Sequence, residues 1–103
     1  MIEVNHIYYE DVLKGFEITG HANFDEYGSD IVCAAVSMLA YTTVNSLDNY
    51  GYDVEFSDDD ETMKLIVKSP SYESDVILNT FNTGIWTLTQ SYGDFVKAYT
   101  TTL

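Results

Sequence analysis

Apolar and polar positions trade places along the chain in two rhythms. Ile2, Val4, His6 and Tyr8 alternate with Glu3, Asn5, Ile7 and Tyr9, the period-two pattern of a half-buried strand. A turn at Glu10 and Asp11 leads into a second strand over residues 13–19 (LKGFEIT), with Phe16 and Ile18 on one face and Glu17 on the other. The pattern predicts a hairpin that stops at Gly20. From 21 to 29 (HANFDEYGS) the periodicity fails, and the stretch lies between Gly20 and Gly28, as a loop with unusual backbone angles requires.

Ser29 or Asp30 offers an N-cap to a helix running to about residue 49, with Gly51 as its stop. Ile31, Val32, Ala34, Ala35 and Val36 make the start of this helix apolar nearly all round, which predicts a position deep in the domain. Tyr52, Val54 and Phe56 alternate with Asp53, Glu55 and Ser57; Met63, Leu65 and Val67 alternate with Lys64, Ile66 and Lys68. These are two further strands, with residues 58–61 as a polar hairpin tip. Pro70 ends the second, and Ser71, Glu73, Ser74 and Asp75 supply caps and negative charge for a helix over 72–92. Ile77, Phe81, Ile85 and Leu88 should face inward, Gly84 costs about 1 kcal/mol relative to alanine, and Gly93 is the stop. Residues 95–101 (FVKAYTT) read as a final strand. The order ββαββαβ predicts an α+β fold, two helices packed on a largely antiparallel sheet, as a single domain over residues 1–103. The uncovered face of the sheet is left to solvent or to a second subunit.

Composition narrows the function. Seventeen Asp and Glu against four basic residues give a formal charge of -13, which argues against direct binding to nucleic acid and for a cationic partner. The 46% apolar share is too high for a disordered acidic tail. A single cysteine forms no intrachain disulfide, and no basic start precedes an apolar run with a cleavage site, so a cytoplasmic location is expected. Ser37, Thr42, Thr43, Asn45 and Ser46 interrupt the apolar run of the first helix, which therefore reads as a core helix with no role in a membrane.

Candidate chemistry gathers at the glycine-bounded loop. His21 and Cys33 stand on either side of it, twelve positions apart. Cys33 falls in the first helical turn, where free N–H groups and the dipole favour a thiolate and offer donors to an oxyanion. His21 is placed to accept the thiol proton and pass it to a leaving amine. Against this stands the ordinary role of a lone cysteine, a small buried hydrophobe. One Cys and two His without paired spacing give no metal site, and no cofactor is implied. Asp30 is a cap first and a partner of the histidine second. Ser37, one turn beyond Cys33, either reaches the pair or bonds its own helix. Phe24 and Tyr27 form an aromatic subsite or pin the loop to the core.

Gly20-His21-Ala22, then Gly28, then Asp30-Ile31-Val32-Cys33-Ala34-Ala35-Val36-Ser37 strongly resemble the motif of the Prp family of bacterial ribosomal-processing cysteine proteases, GHA followed by G-x-DIVCAAVS. The resemblance covers about 18 positions in sequence, and the order of elements is similar along the whole chain. It implies a homodimeric cytoplasmic endopeptidase without cofactor, which removes a short N-terminal extension from large ribosomal subunit protein number twenty-seven before that subunit assembles, cutting beside paired aromatic residues. It further implies Cys33 as nucleophile, His21 as general base and acid, Asp30 and Ser37 in support, and Gly20, Ala22, Phe24, Tyr27 and Gly28 in a substrate-binding loop. The competing reading is a non-catalytic acidic module that holds or chaperones a basic ribosomal protein.

Overall fold

The computed structural model of the chain describes residues 1–26 and 30–103. Its elements are β1 (Ile2–Tyr9), β2 (Val12–Gly20), α1 (Ile31–Asn49), β3 (Val54–Asp58), β4 (Thr62–Val67), α2 (Tyr72–Tyr92) and β5 (Val96–Thr102). The strands form one sheet in the order β3-β4-β2-β1-β5. Three of its pairings are antiparallel, and the fourth, β1 with β5, is parallel. The expected ββαββαβ, largely antiparallel fold is therefore what the chain adopts.

The two-residue β1–β2 turn places Glu10 at φ 48° and Asp11 at φ 67°. Positive φ at both central residues matches the twist of the flanking strands, although neither residue is glycine. The β1–β2 register slips by one residue after Ile7, where Ile7 faces Gly15 but Tyr8 faces Leu13, so Lys14 occupies a bulge. One face of the sheet carries Ile2, Val4, His6, Phe16, Ile18, Leu65 and Val67, all buried. Glu3, Lys64 and Lys97 alternate with these and stay exposed. At the centre Phe16 stacks on Phe81 of α2, centroids 4.3 Å apart and planes inclined by 21°.

Each helix buries a single stripe. In α1 this is Val32, Val36, Ala40, Thr43 and Leu47; in α2 it is Ser74, Leu78, Phe81 and Ile85, with Ile77 and Leu88 half-buried at its margins. The expected deep position of α1 is corrected: Ile31 is 55% and Met38 68% exposed. Two helices on one side of a small sheet each touch it along one face, and an all-round apolar sequence cannot create a second partner for the other. By length and composition α1 would also suffice to cross a membrane, but here its stripe lies on the sheet. Gly84 contributes to the helix pair, since a Cβ there would sit 2.6 Å from Leu39 Cδ2 of α1. The entry of α2 is held by Ser74 Oγ, which accepts the Ser71 N–H at 2.9 Å.

His6 is the unusual core residue. It is 9% exposed, edge-on to Phe81 at 5.9 Å, and its buried Nδ1 has no hydrogen-bond partner among the described residues. Burial pushes its pKa below the ordinary histidine value. The unfolded chain then takes up this proton first, so the contribution is complete above about pH 6.5 and declines as pH falls toward the lowered folded value. Urea titrations across pH 4.5–7.5 should show wild type losing more stability toward acid than His6→Leu, by the slope of one proton; parallel curves would refute it.

Candidate active site

Strand register builds the site's floor. Ile2 pairs with Gly20 across β1 and β2, while Thr19 and Ile18 pair with Thr62 and Met63 across β2 and β4. The end of β2 thus lies between the start of β1 and the β3–β4 hairpin tip. Gly20 leaves the strand at φ 85°, and a Cβ there would fall 2.2 Å from the Met1 carbonyl oxygen, so only glycine fits. The Met1 amino group donates to the His21 carbonyl, tying the next residue to the same corner.

Asp30 builds the opposite wall. Its Oδ1 accepts the N–H groups of Val32 and Cys33, each at 3.0 Å, and its Oδ2 accepts those of Phe24 at 3.0 Å and Asp25 at 3.4 Å. One carboxylate therefore caps α1 and straps the loop after β2 to the helix. Desolvation pushes the Asp30 carboxyl up, but the N–H groups of Cys33, Phe24 and Asp25, with the Cys33 thiol, outweigh it and hold the pKa below the ordinary value. The N–H groups of Val32 and Cys33 are taken by this side chain, and that of Ala34 by the Asp30 carbonyl at 3.1 Å. These three donors, among those expected to serve an oxyanion, are thus engaged within the first turn.

Between the walls lies a cleft of about 520 Å³. His21, Cys33, Asp30, Ser37 and Gly20 all border it, with Ile2, Ile18, Val36 and Met63 as apolar lining. His21 is exposed and Cys33 half-buried. The expected substrate loop is only partly there. Ala22 is 3% exposed within the core. Phe24 turns away from the cleft, edge-on to Tyr92 at 5.6 Å and to Phe95 at 5.1 Å, and so pins the loop as an aromatic anchor. Tyr27 and Gly28 lie outside the described residues, as does the alternative cap Ser29.

Seven cleft residues carried no local signal in the sequence: Asn23, Asp25, Thr62, Tyr41, Asp58, Asp60 and Glu61. The last three arrive through the β2–β4 pairing. Tyr41 donates its hydroxyl to Asp58 and meets Phe56 edge-on at 5.8 Å, which joins α1 to the hairpin. Among the described residues no group of His, Cys, Asp and Glu is arranged to hold a metal.

Removing the Asp30 carboxylate should loosen helix and loop together. Asp30→Ala is expected to lower the unfolding free energy by about 1–2 kcal/mol at pH 7, read from urea denaturation. Since the folded pKa is depressed, the difference from wild type should hold above about pH 4 and shrink as pH falls below it. Equal midpoints at pH 7 would contradict the strap.

Relatives with this arrangement are identifiable. The family described as Cysteine protease Prp matches residues 1–97. The ribosomal processing cysteine protease Prp of Bacillus subtilis (strain 168) is 53% identical over 35 residues, a match that spans 34% of this chain and 31% of that protein. That of Staphylococcus aureus (strain Mu50) is 29% identical over 82 residues, covering 76% of this chain and 77% of the relative. In structure the chain is similar to the S. aureus ribosomal processing protease Prp solved with a covalently linked product peptide, with a TM-score of 0.90 and 24% identity over 98% of this chain and 100% of the other. The match to the family over nearly the whole chain, on the fold just described, makes this protein a member of the cysteine protease Prp family.

Proposed function

We propose that this protein is a cytoplasmic cysteine endopeptidase that removes the N-terminal extension of large ribosomal subunit protein number twenty-seven before the subunit assembles. The observation that carries the reading is the shared cleft of His21 and Cys33, reached from opposite ends of a twelve-residue separation. The S. aureus relative with its covalently linked product peptide supports the same kind of chemistry. The acidity of the chain suits a basic ribosomal protein as substrate.

In this reading His21 takes the thiol proton as Cys33 Sγ attacks the scissile carbonyl carbon. The tetrahedral intermediate collapses to a thioester, and His21 gives the proton to the departing amine. Water then attacks the thioester with His21 again as base, releasing the carboxylate product and restoring the thiol. Asp30 acts in support by holding the loop that carries His21 against the helix that carries Cys33, and Ser37 borders the cleft one turn further on.

The test is mass analysis of a peptide spanning the extension's aromatic site after incubation with enzyme. Wild type should cleave it, Cys33→Ala should leave it intact, and His21→Ala should slow cleavage about 10²–10⁴-fold. Equal cleavage by wild type and Cys33→Ala would overturn the assignment. Binding without cleavage by wild type would favour the acidic holding module.

A homodimer belongs to the same proposal. A groove between α1 and α2 is bordered by Met38 and by Val76, which are 68% and 45% exposed, a surface suited to a second copy. Sedimentation velocity should show a dimer for wild type and a shift toward monomer for Met38→Glu; identical profiles would remove this surface from the interface.

A further inference from the structure

We propose that Phe24 is a positioning residue for His21: its ring, seated on Tyr92 and Phe95, braces from behind the segment that presents the imidazole to Cys33. The inference rests on the peptidase reading and names a residue that acts on the reaction without touching the substrate. Residues 21–25 form a two-sided ribbon. His21, Asn23 and Asp25 border the cleft, whereas Ala22 and Phe24 do not. Ala22 is instead buried in the core, and Phe24 meets Tyr92 at 5.6 Å and Phe95 at 5.1 Å, edge-on to both. Asn23 between them takes φ 56°, a left-handed turn that asparagine tolerates better than most residues.

The shelf under Phe24 belongs to the same frame as the root of the segment. The Phe95 N–H donates to the Tyr92 carbonyl at 2.9 Å, joining the end of α2 to the residue before β5, and the Phe95 carbonyl accepts the Ile2 N–H at 2.8 Å. Ile2 in turn pairs with Gly20, the residue before His21. His21 is therefore carried on a short bridge, residues 21–23, between two fixed piers: Gly20 on β1 and Phe24 on the shelf. So short a bridge leaves the imidazole little backbone freedom, and proton transfer between imidazole and thiol depends steeply on their separation. The Asp30 carboxylate fastens the N–H groups of Phe24 and Asp25, bonds that any side chain at position 24 permits, so the contribution of the ring separates from that of the strap. Edge-on geometry also sets what can replace it: an aromatic ring keeps the contacts, and an aliphatic chain does not.

The experiment uses the full chain and the peptide spanning the aromatic cleavage site, with cleavage followed by mass spectrometry to give kcat and KM. Phe24→Leu should lower kcat about ten- to a hundredfold with KM changed by no more than about twofold, and Phe24→Tyr should retain most of the wild-type turnover. Tyr92→Leu, which removes one ring of the shelf, should act in the same direction. On the His21→Ala background Phe24→Leu should cost nothing further, since the ring acts through the imidazole. In parallel, the pH profile of Cys33 alkylation by iodoacetamide should move in Phe24→Leu toward that of His21→Ala, with circular dichroism showing the fold intact. A rise in KM at unchanged kcat would make Phe24 a substrate contact. An equal loss of kcat on the wild-type and His21→Ala backgrounds, or loss of the fold in both Phe24→Leu and Tyr92→Leu, would make the ring cluster purely structural. Each of these overturns the inference and leaves the peptidase reading standing, whereas failure of wild type to cleave would overturn both.

Discussion

A single carboxylate holds the site together. Asp30 sits where a loop without repeating structure meets the first turn of α1, and its two oxygens serve different masters: Oδ1 the helix, Oδ2 the loop. A helix start leaves N–H groups without intrahelical partners, and an irregular loop leaves others. Satisfying both from one side chain fixes the helix that bears Cys33 relative to the segment that bears His21. Serine or threonine could cap the helix, but a lone hydroxyl oxygen lacks the second oxygen set apart for the loop. The acid's low pKa and its position have one cause, the ring of N–H donors around it.

The sheet provides the remaining frame. Because β2 pairs with both β1 and β4, its last residue is surrounded by the chain's first residues on one side and by the acidic hairpin tip on the other. The loop that begins at Gly20 therefore departs from a corner fixed by strand pairing on both sides. Its first residues are tied by Met1, the middle by Phe24 on Tyr92 and Phe95, and its far end by Asp30.

Local physics made much of this legible in the sequence. Period-two alternation located the first four strands and β-branched and aromatic composition the fifth, and the 72–92 helix agrees with the structure at both ends because Pro70, the Ser71 cap and Gly93 are punctuation that acts on neighbouring residues alone. His21 and Cys33 stood out through the GHA and DIVCAAVS motifs on either side of a glycine-bounded loop, and both border the one cleft. What alternation does not encode is which strands lie side by side. The parallel seat of β5 on β1, and with it the full sheet order, depends on contacts remote in sequence, and so does the arrival of Asp58, Asp60 and Glu61 at the cleft. Phe24 illustrates the same limit: an exposed-looking aromatic beside the motif had two possible partners, and Tyr92 and Phe95, some seventy residues away, decided between them.

The parallel ladder from Ile2↔Val96 to Tyr8↔Thr102 links strands from opposite ends of the sheet's sequence. Closing so long a loop is entropically costly and comes late in folding. During synthesis β1 and β2 can zip up early, yet the edge of β1 stays open until β5 has emerged. Ile2, which begins that ladder, is also part of the cleft lining. Maturation of the cleft is in this way coupled to the emergence of β5, and a nascent chain lacking that strand carries His21 and Cys33 without the finished wall beside them.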